Sequence, residues 1–229
     1  MTITTLTRRD LNRAFLHRQL LLGRAAMSPA AALDHLVGMQ AQAPQAPYAG
    51  LWTRLEDFQP AELSLAIAER RSVRLALMRS TIHLVTARDC LALRPVLQPA
   101  LERGIISSAN RRLPGVDLDD LAEAGRSLVE QNPLIMSELA KRLGSQWPEA
   151  DPFLLGYAVR ALVPLVQVTP RGEWRKGGAA AHTSAEVWLA ASLAKNREPD
   201  EMIRRYLAAY GPATLRDICS WSGLTRLGP

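Results

Sequence analysis

The sequence predicts a mainly α-helical protein carrying small β-hairpins, on three observations. Apolar residues recur at helical spacing in several separate stretches, two short stretches alternate with period two, and 48% hydrophobic content over 229 residues is enough for a real core. From Arg8 to Arg24, Leu11, Ala14, Phe15, Leu21 and Leu22 mark one face of an amphipathic helix whose other face is filled by arginines. Ser28 and Pro29 start a second helix that runs to about Val37, because the serine oxygen caps free amides and proline needs no donor at the first position. Gln40 to Pro47 reads as a loop or an extended edge, since its prolines disfavour helix and its neighbours are too small for a core. Pro60 opens a third helical pattern to about Arg70. Val73, Leu75 and Leu77 then alternate with Arg74, Ala76 and Met78, and Ile82 and Leu84 with His83 and Val85, which predicts a pair of short strands.

The second half repeats this order more cleanly. A helix capped at Asp117 runs to about Gln131, Asn132 and Pro133 break it, and helices follow from Ser137 to Leu143 and from about Asp151 to Val163. Three such helices make a helix-turn-helix core. Leu165 to Val168 is a strand, Thr169 to Gly172 a turn and Glu173 to Lys176 the returning strand, so the hairpin is a wing with a basic tip. Arg171, Arg175 and Lys176 would there meet phosphates, although an ordinary solvated hairpin has the same composition. After a Gly- and Ala-rich link at Gly177 to Ala181, helix signals return from Ser184 to Ala194, from Pro199 to Tyr210 and from Leu215 to Trp221, where Ser222 and Gly223 make a turn. The expected organisation is therefore tandem winged-helix units at residues 1–115, 116–180 and 181–229, the last cut short before its recognition helix, which suggests a piece of a longer protein.

Composition narrows the partners. The formal charge of +6 and a pI of about 9.9 attract a polyanion, and nucleic acid is the commonest such partner, although a solvated arginine-rich surface has the same signature. No stretch approaches the roughly 18 apolar residues of a membrane span, and Thr2 to Asp10 do not form a signal peptide, so a cytoplasmic protein is expected. Cys90 and Cys219 lie far apart without partners at metal-ligand spacing, which points to two buried thiols and to no metal or cofactor. No phosphate-cradling glycine loop and no serine–histidine–acid set appears. Of the five tryptophans, Trp52, Trp147, Trp188 and Trp221 adjoin apolar patterns and are expected in the core, and Trp174 lies in the wing.

Several segments resemble the AlkZ-like family of winged-helix DNA glycosylases: Leu16 to Gln19, Gly38 to Gln42, Met78 to Val85, and Tyr206 to Gly223 with its Tyr210, Gly211, Pro212, Ala213, Thr214 turn. The resemblance implies tandem winged-helix units, double-stranded alkylated DNA as partner, and excision of alkylated purines or unhooking of crosslinks. In that family a Gln, apolar, Gln motif carries the catalytic work, and Gln40, Ala41 and Gln42 match it. A sister group places aspartate at the second position.

Residues two apart on an extended segment project to one face, so the amides of Gln40 and Gln42 can converge on one water. A purine alkylated on a ring nitrogen is already cationic and leaves readily. The enzyme's task is then to hold a water near the sugar carbon and stabilise an oxocarbenium-like transition state, which carbonyl dipoles do without titrating. His83, next to Arg79, is a candidate contact for a phosphate or the lesion, unless it is a structural histidine. His17 and Arg18 are candidate DNA contacts on the first helix, and Arg8, Arg9, Arg70, Arg71, Arg74, Arg111 and Arg112 candidate phosphate contacts. The competing expectation is a winged-helix transcriptional regulator without chemistry, which would dimerise over paired half-sites where a repair enzyme binds as a monomer.

Overall fold

Short helices with explicit caps are arranged around one antiparallel sheet in the computed structural model, which describes residues 5–107 and 112–227. α1 (Arg8–Arg18) starts on a capping box in which the Thr7 hydroxyl accepts from the Asp10 amide and Asp10 accepts from the Thr7 amide. It ends at Arg18, six residues before the expected Arg24, and the chain turns at Leu20 with φ of 59°. None of its residues is buried, so the apolar face is not a core face. What holds this end of the chain is polar: Arg18 donates to the Leu207 and Ala208 carbonyls, and Gln19 Nε2 to the Ala209 carbonyl, 2.7 Å away.

α2 (Pro29–His35) follows its Ser28 cap as expected. Gly38, at φ of +88°, then turns the chain into β1 (Met39–Gln40). The next element departs from expectation: Ala46 and Pro47 open a helix, α3 (Ala46–Trp52), because proline in the first turn sacrifices no intrahelical hydrogen bond. α4 (Pro60–Ala68) precedes the hairpin of β2 (Ser72–Ala76) and β3 (Ile82–Thr86), joined through a single 3₁₀ turn, Met78–Ser80.

α5 (Ala87–Ile106), the longest helix at 20 residues, was not signalled by the sequence, because Pro95 and Pro99 lie inside it. The backbone donor that Pro95 lacks is replaced from outside: the Leu91 carbonyl accepts instead from the Ala194 amide, 3.0 Å away. α6 (Leu118–Gln131), β4 (Leu134–Ile135), α7 (Met136–Gln146) and α8 (Pro152–Leu162) form the expected helix trio with a short strand inserted. β5 (Leu165–Gln167) and β6 (Ala181–Ser184) complete the wing, followed by α9 (Ala185–Leu189), α10 (Asp200–Tyr210) and α11 (Leu215–Ser222). α9 is shorter than expected, ending where Ala190 takes φ of 50°.

Glu173 to Lys176 do not return as the wing's second strand; Ala181–Ser184 do. The reason is capture by the first half of the chain. Tyr48 donates its hydroxyl to the Gly172 carbonyl at 2.8 Å. Gln45 grips the same loop at both ends of its amide, Nε2 donating to the Glu173 carbonyl and Oε1 accepting from the Arg175 amide.

The strands form a single sheet in the order β1-β3-β2-β5-β6-β4, so the two hairpins share it. β2 is paired on both sides, Leu75 lying opposite His83 and Val166. All five of its residues are buried, because both faces are covered. On one face Val73, Leu75 and Val85 pack with Leu97, Val166 and Met202; on the other Ala76, Ile82 and Leu84 pack with Leu33, Tyr48, Leu51 and Leu63. Period two here separates two cores instead of core from solvent. Around α6, α7 and α8 lies a further apolar cluster including Leu121, Leu139 and Val159.

Asp89, fully buried on α5, receives both terminal nitrogens of Arg205 at 2.7 and 2.6 Å and ties α10 to α5. Cys90 is buried as expected, but Cys219 is only half-buried. Trp52, expected in the core, is 56% exposed, with the Arg24 guanidinium over its ring. No helix among the described residues is long and apolar enough to cross a membrane.

A Cβ added at Gly38 would lie 2.5 Å from Val85 Cγ1 and 3.1 Å from the Leu84 carbonyl oxygen. Left-handed backbone costs a non-glycine residue about 1–2 kcal/mol, and overpacking adds a similar amount. Gly38→Ala should therefore lower stability by roughly 3 kcal/mol in urea unfolding followed by circular dichroism.

Candidate functional site

The site is built on the edge where β1 joins the sheet. Gln40 lies opposite His83 in the β1–β3 ladder, so the two side chains project side by side from the same face. The chain continues in register: the Ala41 amide donates to the Ile82 carbonyl at 2.7 Å, and the Ile82 amide donates back to Gln42 Oε1 at 3.2 Å. A side-chain amide here takes the place of a backbone carbonyl in the ladder. Because Ile82 N–H can only donate, the orientation of the Gln42 amide is fixed, its oxygen inward. Ala41 is fully buried between two exposed glutamines.

Gln40 and His83 line a pocket of about 230 Å³ together with Gln19, Gly38, Met39, Arg54, Arg79, Tyr210 and Trp221; Gln42 lies outside this lining. Tyr210 and Trp221 line the pocket as aromatic rings, and Tyr206 packs against both, nearly parallel to Tyr210 at 5.0 Å and 4.7 Å from Trp221. Tyr210 donates its hydroxyl to the Leu36 carbonyl, and burial raises its pKa. Arg79, also in the lining, sits with Ser80 in a turn where both take the left-handed region, with φ of 55° and 58°. Contacts from both halves of the chain hold this conformation: Arg79 Nη1 donates to the Trp221 carbonyl at 2.6 Å, and Arg160 Nη2 to the Ser80 carbonyl at 3.2 Å.

No aspartate or glutamate is part of this lining. The His83 Nδ1–H donates to the Thr81 carbonyl at 3.0 Å, which leaves Nε2 with its lone pair as an acceptor. Burial, helped by the nearby Arg79 cation and opposed by the Thr81 bond, pushes the imidazole pKa down to about 4. At neutral pH His83 is uncharged. Arg54 is half-buried and its pKa is lowered by burial. The pocket therefore combines guanidinium groups, a neutral imidazole and neutral amides, with nothing that can act as a carboxylic acid.

The remaining candidates lie elsewhere. His17 is exposed on α1, and Arg18 is engaged at the C-terminal end of α10. Arg171, Arg175 and Lys176 share the loop folded over α3, where Arg171 donates to the Gly178 carbonyl, Lys176 pairs with Glu173 at 2.6 Å and Arg175 lies over the Trp174 ring. Arg74, expected to meet phosphate, is 2% exposed and donates to Gln167 Oε1 beneath Gly172; burial and neighbouring Arg171 push its pKa down to about 10. Arg70 donates to the Trp188 carbonyl, Arg71 pairs with Glu69, Arg8, Arg9 and Arg112 are exposed, and Arg111 lies outside the described residues. Gln19, Arg54, Tyr210 and Trp221 were not foreseen as site residues; they reach the pocket from distant parts of the chain, and no local pattern joins them.

A helix trio closed by a wing, repeated on one sheet with a polar pocket at its edge, is the layout of a winged-helix-type protein. The family model described as DNA glycosylase AlkZ-like matches residues 33–228, and the chain belongs to that family. Among solved structures it is similar in fold to the Streptomyces sahachiroi DNA glycosylase AlkZ, with a TM-score of 0.77 at 21% identity over 97% of this chain and 63% of that one. The chain thus spans under two thirds of that protein's length. No curated protein sequence matches it significantly.

His83 and His182 are both buried, with pKa values of about 4 against 6.5 for the free side chain, so between these values the unfolded chain binds protons that the folded one does not. Their stabilising contribution is full above pH 6.5 and is lost as pH falls toward 4. Stability should drop by on the order of 1.4 kcal/mol per pH unit for each histidine in that window. Denaturant midpoints at pH 7, 6 and 5 measure this, and His83→Gln should remove about half of the slope.

Proposed function

We propose that the chain is a monofunctional DNA glycosylase that excises alkylated purines, and that the pairing of Gln40 with a neutral His83 in a carboxylate-free pocket is the feature that best supports this reading. Hydrolysis breaks the bond between the sugar C1′ and the purine N9. Its electron pair passes into the ring and cancels the positive charge of the alkylated base, the water oxygen bonds to C1′, and the proton of that water goes to solvent. A base that leaves as a neutral molecule needs no general acid, and the pocket offers no carboxylic acid and no protonated histidine at neutral pH. A crosslinked purine joined through a ring nitrogen is the same leaving group.

The two glutamines have different tasks. The Gln40 side chain makes no hydrogen bond among the described residues, so its carbonyl is available to accept from the water and to face the positive charge developing at the sugar. Gln42 has its oxygen engaged by Ile82 and acts through position, holding the segment in register and offering only its NH₂ outward. His83 Nε2 accepts from the base or the water. Arg54 and Arg79 meet the phosphates flanking the extruded nucleotide, and the 169–178 loop with Arg171, Arg175 and Lys176 meets the backbone further along.

This reading takes residues 1–115 as the unit that supplies the glutamines, 116–180 as the second winged-helix unit and 181–229 as the start of a third. The protein acts on duplex DNA as a cytoplasmic monomer, with no metal or cofactor assigned a step.

Release of 7-methylguanine from methylated duplex DNA tests it. Gln40→Ala should lower the rate by about 10²–10³-fold, the usual effect of removing one preorganised polar group. Gln42→Ala should cost less and should be accompanied by lower stability, because it leaves the Ile82 amide without its acceptor. The rate should be flat from pH 6 to 8. Absence of release by the unsubstituted chain, with tight DNA binding intact, would point instead to a DNA-binding regulator.

A further inference from the structure

A second feature is linked to the turn that carries Arg79 through a hydrogen bond from Arg160 to the Ser80 carbonyl. Between α7 and α8 runs a groove of about 790 Å³ whose walls are apolar and whose lining includes Lys141 and Arg160 but no carboxylate. Its floor is narrow because Gly156 and Ala140 let the helices approach; a Cβ at Gly156 would sit 3.3 Å from that of Ala140. On its wall Phe153 is 73% exposed and Tyr157 39% exposed, while the Arg160 guanidinium lies 5.6 Å over the Tyr157 ring.

α8 is the third helix of its trio, the position that faces a nucleic-acid groove in helix-turn-helix proteins. Its outward face, however, presents the rings of Phe153 and Tyr157, and the guanidinium of Arg160 beside them is already engaged by the Ser80 carbonyl and the Tyr157 ring. Phe153, Tyr157 and Arg160 are spaced by four and three residues and so lie along one face, over a length of about 10 Å at the helical rise. That is on the order of three base steps. The inner end of this row is anchored to the pocket rim, since Arg160 donates to the carbonyl of Ser80, the neighbour of Arg79.

We infer that Phe153 and Tyr157 form a stacking platform for unpaired bases of the DNA strand beside the extruded nucleotide. Flat, exposed rings next to cations suit an unstacked base, whose faces are apolar and whose backbone is anionic. The continuity of the row with the rim of the pocket selects DNA over an apolar protein helix as the occupant. The inference rests on DNA being the ligand, but not on base release.

The test measures affinity for two undamaged duplexes, one fully paired and one carrying a stable abasic analogue flanked by 2-aminopurine, whose fluorescence reports unstacking. The protein as it stands should prefer the second duplex and change the fluorescence on binding. Phe153→Ala with Tyr157→Ala should lower affinity for it by roughly ten-fold or more, the size of a lost base–aromatic stack, and leave affinity for the paired duplex unchanged. Circular dichroism should be unaltered, as expected for exposed side chains. If the doubly substituted protein keeps its preference and its fluorescence change, the platform is wrong and the groove serves something other than DNA. If the unsubstituted protein binds neither duplex, the glycosylase reading fails as well.

Discussion

The rest of the structure depends on β2 being paired on both edges. Its five residues carry the ladder to β3 on one side and to β5 on the other, so one short strand joins the first hairpin to the wing of the second half. Both of its faces are covered as well, by the clusters that include Leu97 on one side and Leu51 on the other. That is why Val73 and Leu75 feed one core, Ala76 another, and Arg74 ends up buried with Gln167 as its partner. The arrangement also determines where the site can be. With β2 and β5 in the interior, the edge available near the first hairpin belongs to β3, and β1 occupies it through the close approach of Gly38 to Leu84 and Val85.

The electrostatics of the pocket follow from the same burial. His83 stands opposite Leu75 on one side and Gln40 on the other, half in the sheet and half at the pocket, and its loss of basicity is mainly the result of that desolvation. The guanidinium of Arg79 reinforces the effect. The pocket thus carries positive charge from Arg54 and Arg79 beside the neutral imidazole and amides of His83, Gln19 and Gln40.

Much of this was legible in the sequence where local signals and tertiary context agree. The caps at Ser28 and Asp117, the alternation of β2 and β3, and the trio from α6 to α8 appear close to their expected limits. The motif at Gln40 to Gln42 was found through resemblance, and its extended geometry through its prolines and small residues. Other features depend on distant partners. α5 was hidden by two prolines whose missing donor at Leu91 is replaced from Ala194, a hundred residues away in sequence. The expected return strand at Glu173 to Lys176 is diverted by Gln45 and Tyr48, which no local pattern reveals. Arg74 looked like a surface cation because alternation cannot tell a sheet covered on one face from one covered on both.

The hydrogen bond from Ile82 to Gln42 has a consequence for which residues can be exchanged there. The position demands an oxygen that can reach one backbone amide, and nothing in that demand requires an amide side chain. A glutamate carboxylate, equal in length to the glutamine side chain, offers such an oxygen as well. What distinguishes the two is the outward half of the side chain, a pair of donors in one case and a second acceptor with a negative charge in the other. An exchange of amide for carboxylate can thus change the polarity that the edge presents to solvent while leaving the sheet edge undisturbed.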